Sequence, residues 1–417
     1  MTDSPLVLGI DLGTSGVRVA VINANRELLH TEATNYAVGI QRPEDWREAC
    51  LSLLNTIPGN LRRCLRALAV DGTSGTLLAC DHRGTPLADA LSYAQAFPEH
   101  GERIRDLVPR EGPASSSSSS VARALHFIAQ LGPNLLLRHQ ADWITGWLLD
   151  DWRWGEEGNN LRLGWDLESN SWPPGITAQE WRQALPEIRV SGAVLGIIDT
   201  GRADELGLPH GLQVVAGTTD SNAAVLASDP GPDDGVTVLG TTLVMKRFMA
   251  APIRGAGVTV HRVGSQWLCG GASNAGGGVL RRFFSDDLLA ELSRQINPDR
   301  DSGLTLRPLP GPGERFPVDD PDLQPVLEPR PVSDALFLHG LLEGLAEIES
   351  QGWQRLEELG APYPKRVISI GGGARNPQWR RLRERWLGVP VLSCASPPAA
   401  GVARLALRAT SRGASEH

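Results

Sequence analysis

Leu8-Gly-Ile-Asp-Leu-Gly-Thr-Ser-Gly16 is the stretch on which the fold turns. The apolar run Leu6–Ile10 is short enough for a buried strand, and Asp11 stops it. A turn bracketed by Gly13 and Gly16 leads into a second apolar run at Val17–Ile22. Asn23–Arg26 then turns the chain again, into Glu27–Thr31. Three strands joined by tight turns predict a β-meander. The same stretch puts a carboxylate at a strand end, followed by a turn whose backbone N–H groups can converge on phosphate oxygens, with Asp11 placed to hold a magnesium ion or its waters. A plain hairpin turn has the same local sequence, so the chemical reading needs support from elsewhere.

Moving outward, Asp45–Leu54 has apolar residues at helical spacing, and Leu65–Val70 reads as a buried strand running into Asp71-Gly-Thr-Ser-Gly75. Strand and helix alternate from there, which predicts an α/β layer fold. Ser115–Ser120 is read as a loop feeding a helix at Val121–Leu131, its last serine a good N-cap, with a flexible linker as the alternative. Six of the twelve tryptophans fall between Trp143 and Trp172, and core packing is the preferred explanation. The Pro/Gly/Asp cluster Ser228–Gly235 is read as the boundary between domains 1–229 and 230–400, with a C-terminal helix around 400–411 packing back on the first. Beyond it, Leu239-Gly-Thr-Thr242 beside the strand Val236–Leu239 echoes Leu12-Gly-Thr-Ser15, a faint internal repeat. Eight prolines between Arg307 and Pro331 predict an irregular excursion before a long helix at Asp334–Glu349.

Three further stretches carry chemistry. Val214–Val225 reads as a strand, a turn at Gly217 and a helix with Asp220 in its first turn, where the helix N-terminus favours an ionised carboxylate. A helix-capping aspartate is the alternative. In Val367–Trp379 a buried strand ends in Gly371-Gly372-Gly373 before a helix, and successive glycines let a planar ring lie against bare backbone. Gly270–Gly278 adds glycines near an expected helix start. His126, His139 and His339 sit singly in helical patterns and are read as structural.

Composition narrows the function. A chain of 417 residues favours two domains, and 41% hydrophobic with 21% charged residues is a globular composition. The formal charge of −8 gives no footprint for a phosphate backbone, so nucleic acid is not an expected partner. Lys246 and Lys365 are the only lysines, and no Gly-x-x-x-x-Gly-Lys-Ser/Thr occurs, which excludes a P-loop nucleotide site. Five cysteines without Cys-x-x-Cys spacing indicate neither a disulfide framework nor a zinc-thiolate site. No apolar run reaches the roughly 18 residues of a membrane span, and the first apolar run is too short for a signal peptide. A cytoplasmic location without membrane association is the expectation, and oligomeric state is open.

Asp-Leu-Gly-Thr-Ser, Gly-Thr-Thr-Asp, Leu-Gly-Thr-Thr and Gly-Gly-Gly-Ala-Arg-Asn, in this order across nearly the whole chain, resemble the FGGY carbohydrate kinases of the actin-like ATPase fold. Ala141–Ile144, Leu342–Ala346 and Ala399–Ala403 support the likeness. The resemblance implies two ribonuclease H-like domains around a cleft in which ATP, with Mg2+, phosphorylates a sugar or polyol hydroxyl. It makes Asp220 the catalytic base and assigns Asp11 to the metal. Gly13, Thr14, Ser15, Gly240, Thr241, Thr242 and Gly277 fall to the phosphates and cofactor, and Gly372, Gly373, Asn376 and Trp379 to the adenine.

Two departures bear on the substrate. Where many members carry Trp-x-Asp-x-Arg, this chain has Ser92-Tyr-Ala-Gln-Ala-Phe97, and it is shorter than most of the family. Both features resemble the short cyanobacterial and plant pentulose-kinase branch, which implies a ketopentose, D-ribulose ahead of D-xylulose, faced by Asp11, Ser74 and Asp220. A non-catalytic nucleotide or sugar sensor of the same fold is the alternative.

Overall fold

The computed structural model describes residues 5–412. In chain order the elements that position the site begin with β1 (Leu6–Leu12), β2 (Gly16–Ile22), β3 (Leu28–Asn35), α1 (Pro43–Thr56), β4 (Leu65–Gly72), β5 (Leu77–Cys80), α2 (Ser120–Leu131), β6 (Leu136–His139), α3 (Gln140–Leu149), β7 (Val194–Ile197), β8 (Gln213–Thr219) and α4 (Asp220–Ala227). They continue with β9 (Asp234–Leu239), β10 (Leu243–Met249), β11 (Val258–Val263), β12 (Gln266–Ser273), α5 (Asp334–Glu358), β13 (Arg366–Ile370), α6 (Pro377–Leu387), β14 (Val391–Ser393) and α7 (Pro398–Arg412). The chain divides into two compact units. The first runs to Ala227 and takes in Arg262–Ser265 and the residues from Ser396 onward; the second comprises Ser228–His261 and Gln266–Ala395.

In the first unit the sheet order is β3-β2-β1-β4-β8-β7, with the meander antiparallel and β1, β4 and β8 parallel. The parallel strands are buried along nearly their whole length, which is why they read as unbroken apolar runs. Helix α7 lies against β1 at backbone distance: a Cβ on Gly9 would come within 1.8 Å of the Ala399 carbonyl oxygen. The small residues of Ala399–Ala403 are what permit that approach. Trp46 of α1 and Trp143 of α3 meet edge to face at 5.9 Å in the core. The serine run is a loop entering α2, whose N-cap Ser119 accepts a bond from the Ala122 N–H.

Gly217 is not a turn, contrary to the sequence expectation. It lies inside β8, where a Cβ would come within 1.8 Å of the Val70 carbonyl oxygen, so glycine is required by strand-to-strand approach. Gly270 and Gly271 likewise belong to a strand, β12, rather than to a helix start.

The second unit repeats the plan, with order β11-β12-β10-β9-β13-β14. As β1 does in the first sheet, β9 pairs antiparallel with the strand that follows it and parallel with a distant one. The faint sequence echo therefore has a structural basis: Leu12-Gly-Thr-Ser and Leu239-Gly-Thr-Thr each end the first strand of a sheet. Helix α5 runs past Glu349 to Glu358 because Trp353 and Leu356, each 1% exposed, continue its buried stripe. Beneath the sheet, buried Arg383 of α6 pairs with buried Glu349 of α5 and donates to Ser369 Oγ at 2.6 Å, while Thr237 Oγ1 donates to Glu349 at 2.6 Å. The stretch 307–331 forms no helix or extended strand, only isolated bridges at Arg307–Val326 and Glu314–Asp320. No helix of the described residues is long and apolar enough to cross a membrane.

Candidate active site

Three carboxylates meet at the C-terminal ends of the parallel strands in the first unit. Asp11 on β1 and Asp71 on β4 are register partners, 2% and 0% exposed, and Asp220 opens α4 directly after β8. Burial pushes Asp71 well above the usual carboxylate range, and the negative charges of Asp11 and Asp220 push it further the same way. Burial raises Asp11 too, against hydrogen bonding with Asp71 and the charge of Arg18. Arg18 is the cross-strand partner of Asp11 on β2, its Nη1 3.2 Å from Asp11 Oδ2. Both Asp71 oxygens are shielded from solvent, and no N–H or hydroxyl of the described residues donates to them. This is an all-oxygen donor set of the kind hard divalent cations take.

Asp220 is not the cap of its helix. Thr219 makes that contact, its Oγ1 accepting from the Asn222 N–H at 3.4 Å, while Asp220 Oδ1 lies 2.7 Å from the Ser221 N–H. The capping alternative is thus filled by the neighbouring residue, and the Asp220 carboxylate sits where the helix N-terminus stabilises its charge. The charge of Asp220 also bears on Arg162.

The turn after β1 is closed by the Gly13 N–H donating to the Gly16 carbonyl at 2.9 Å, leaving Thr14 and Ser15 as its exposed members. Gly13 therefore shapes the turn, and its own N–H is committed. A chain of hydrogen bonds supports this turn from behind. Tyr36 OH donates to the Gly13 carbonyl at 3.1 Å, and Gln140 Nε2 donates to Tyr36 OH at 3.1 Å. Gln140 Oε1 in turn accepts from Thr73 N and Oγ1 at 3.1 and 2.8 Å. Ser74, half-buried, follows Thr73 in a turn where Gly75 takes φ +100°. Arg123, fully buried, holds the Ser92–Phe97 loop by donating to the carbonyls of Ser92, Tyr93 and Gln95 at 2.8, 2.6 and 2.8 Å. Tyr93 OH then lies 3.3 Å from Thr14 Oγ1.

In the second unit a cavity of about 670 Å³ brings together Gly240, Gly277, Gly372, Gly373, Asn376 and Trp379, a size suited to a small molecule. Thr241 and Thr242 do not line it. They form the turn after β9, where the Gly240 N–H donates to the Thr242 carbonyl at 3.2 Å and the Gly277 N–H to the Gly240 carbonyl at 2.9 Å. Gly372 opens onto empty space, so flat backbone faces the cavity there. Trp379 lies in the cavity wall. It is 2% exposed and wedged under Gly373, where a Cβ would meet its ring at 2.4 Å. Asn376 also serves the wall: its Oδ1 caps α6 by accepting from Gln378 and Trp379 N–H at 3.1 Å, and its Nδ2 donates to Ser293 Oγ at 2.8 Å.

Asp71, Arg18, Arg123 and Gln140 were missed by sequence reasoning. Asp71 had a signal, since Asp71-Gly-Thr-Ser-Gly75 repeats the Asp-to-Gly pattern of Asp11–Gly16 one residue shorter.

Two sheets of this plan, each with a glycine turn after its first strand and one with carboxylates at its strand ends, define an actin-like fold. Residues 235–410 match the C-terminal domain of the FGGY family of carbohydrate kinases. An L-fuculokinase of Escherichia coli K12 is 23% identical, aligned over 93% of this chain and 88% of its own. A xylulose kinase of Lactococcus lactis is 23% identical over 90% and 82%. Among solved structures, a xylulose kinase from Rhodospirillum rubrum superposes with a TM-score of 0.80 at 18% identity, covering 98% of this chain and 90% of that one. A Plasmodium falciparum glycerol kinase with ADP gives 0.80 at 12%, with coverage of 98% and 90%. Residues 235–410 thus form an FGGY-type carbohydrate-kinase C-terminal domain, and the chain is an ATP-dependent carbohydrate kinase.

Proposed function

We propose that the chain transfers the terminal phosphate of ATP to a ketopentose, with D-ribulose the preferred acceptor and D-ribulose 5-phosphate the product. The observation that carries this reading is the position of Asp220, at the start of α4 with its charge felt at buried Asp71. In a loose phosphoryl-transfer transition state the acceptor hydroxyl loses its proton late, so a carboxylate that orients it in line is sufficient as base. Asp220 accepts that proton. Asp11, beside Asp71, is the residue to hold Mg2+, which when bound neutralises phosphate charge. Thr14 and Ser15 receive phosphate oxygens, and Ser74 meets a sugar hydroxyl. The cavity framed by Gly372 and Gly373 takes the adenine.

A ketopentose is favoured over larger sugars by the short Ser92–Phe97 loop, which offers no Asp or Arg side chain to grip distal hydroxyls. D-xylulose is the second reading, favoured by the xylulose kinases among the relatives. The test is product identification by mass after incubation with ATP, Mg2+ and each ketopentose, glycerol or L-fuculose in turn. A phosphate ester formed with none of them contradicts the proposal.

A further inference from the structure

Outside the carboxylate site, Glu99, His100 and His126 bring three ligand atoms within 4.8 Å of one another. Glu99 and His100 belong to a short 3₁₀ turn, Pro98–His100, and His126 projects from α2. The cluster is held from behind. Arg123, one helical turn before His126, pins three carbonyls of the Ser92–Phe97 loop, and the Phe97 N–H donates to the Ser117 carbonyl at 2.8 Å. The Phe97 ring packs on His126 at 4.3 Å, and the two imidazoles lie 6.3 Å apart at 67°.

None of the three side chains makes a hydrogen bond or ion pair with another described residue, and His100 Nε2 is shielded from solvent without a partner. A shielded imidazole nitrogen with nothing to bond is a cost that a ligand removes.

We propose that Glu99, His100 and His126 form a binding site for a borderline divalent transition ion, Zn2+ being the best fit, that ties the Pro98–His100 turn to α2. Two imidazoles and a carboxylate select such an ion over Mg2+, which prefers oxygen and keeps its waters. Zinc-to-ligand distances of about 2.0–2.2 Å require the donors to close together from their present spacing. The exposed Glu99 side chain is free to make that movement, and water fills the fourth position. The ion would brace the segment that carries Tyr93 to its contact with Thr14, without touching the reacting groups.

The test is calorimetric titration of the full chain, stripped with EDTA and desalted, with ZnCl2 in excess Mg2+. One Zn2+ per chain is expected, with affinity reduced at least tenfold by His126→Ala and by Glu99→Gln. Glu99→Gln removes only an exposed charge, so it decides the matter if loss of the His126 ring disturbs α2. The Co2+ form is expected to lack a thiolate charge-transfer band. Absence of binding, binding unaffected by Glu99→Gln, or a thiolate band pointing to cysteine ligands would each overturn the proposal. None of these outcomes bears on the kinase reading.

Discussion

Asp11 and Asp71 stand side by side on adjacent parallel strands, both buried, and Arg18 reaches in from the neighbouring strand to pair with Asp11. Two carboxyl groups so placed do not both ionise cheaply, because each loses hydration and the charge of Asp11 raises Asp71. Asp71, with no donor to its oxygens, is held well above the usual carboxylate range.

That arrangement predicts a pH-dependent difference for Asp71→Asn. A carboxyl raised in the folded state binds its proton more tightly folded than unfolded, so stability falls as pH rises past the unfolded value of about 3.8. An amide has no such loss. The melting temperature of Asp71→Asn relative to the parent is therefore expected to increase between pH 4 and pH 7 in metal-free buffer. A difference independent of pH would mean that Asp71 titrates alike in both states.

Trp379 and Gly373 are expected to separate folding from nucleotide binding. Trp379→Ala empties a buried site and is expected to cost about 3–5 kcal/mol of stability by denaturant unfolding. Gly373→Ala forces the Trp379 ring away from the cavity wall and is expected to raise the KM for ATP while leaving the KM for sugar unchanged.

The buried Glu349–Arg383 pair links α5 and α6 under the second sheet. Arg383→Met removes the counter-charge of buried Glu349, and is expected to destabilise by about 3–5 kcal/mol. Replacing both partners with apolar residues is expected to recover much of that loss, which thermal unfolding of the single and double variants will measure.

How far the site could be read in advance follows from how local each feature is. Asp11, the turn after it, its echo at Leu239–Thr242 and the start of α4 at Asp220 are set by consecutive residues, so strand patterning and turn chemistry exposed them. The pairing of Asp71 with Asp11 depends on the register of strands some sixty residues apart in sequence, which local periodicity does not encode. Gly217 misled for a related reason. A glycine required by a neighbouring backbone looks the same in sequence as one required by a turn. The packing of the Trp379 ring under Gly373 was hidden for the same reason, since it joins a helix to the turn before it.

Sugar choice is expected to rest on few groups. D-ribulose and D-xylulose differ in one hydroxyl configuration, and a mispaired buried polar group costs about 1–3 kcal/mol. The ratio of kcat/KM for the two is therefore expected to be roughly ten- to a hundredfold in favour of D-ribulose. A preference for D-xylulose would reverse the substrate assignment and leave the family assignment untouched.

The central claim is that Asp220 activates a ketopentose hydroxyl for phosphate transfer, and the most direct measurement is ketopentose-stimulated ADP release by the parent and by Asp220→Asn at saturating ATP and Mg2+. The account predicts that added ketopentose accelerates release by the parent and that kcat falls by about 10²–10⁴ in the variant, with ATP affinity retained. Equal turnover by the two proteins, or ADP release by the parent that ketopentose does not change, would contradict it.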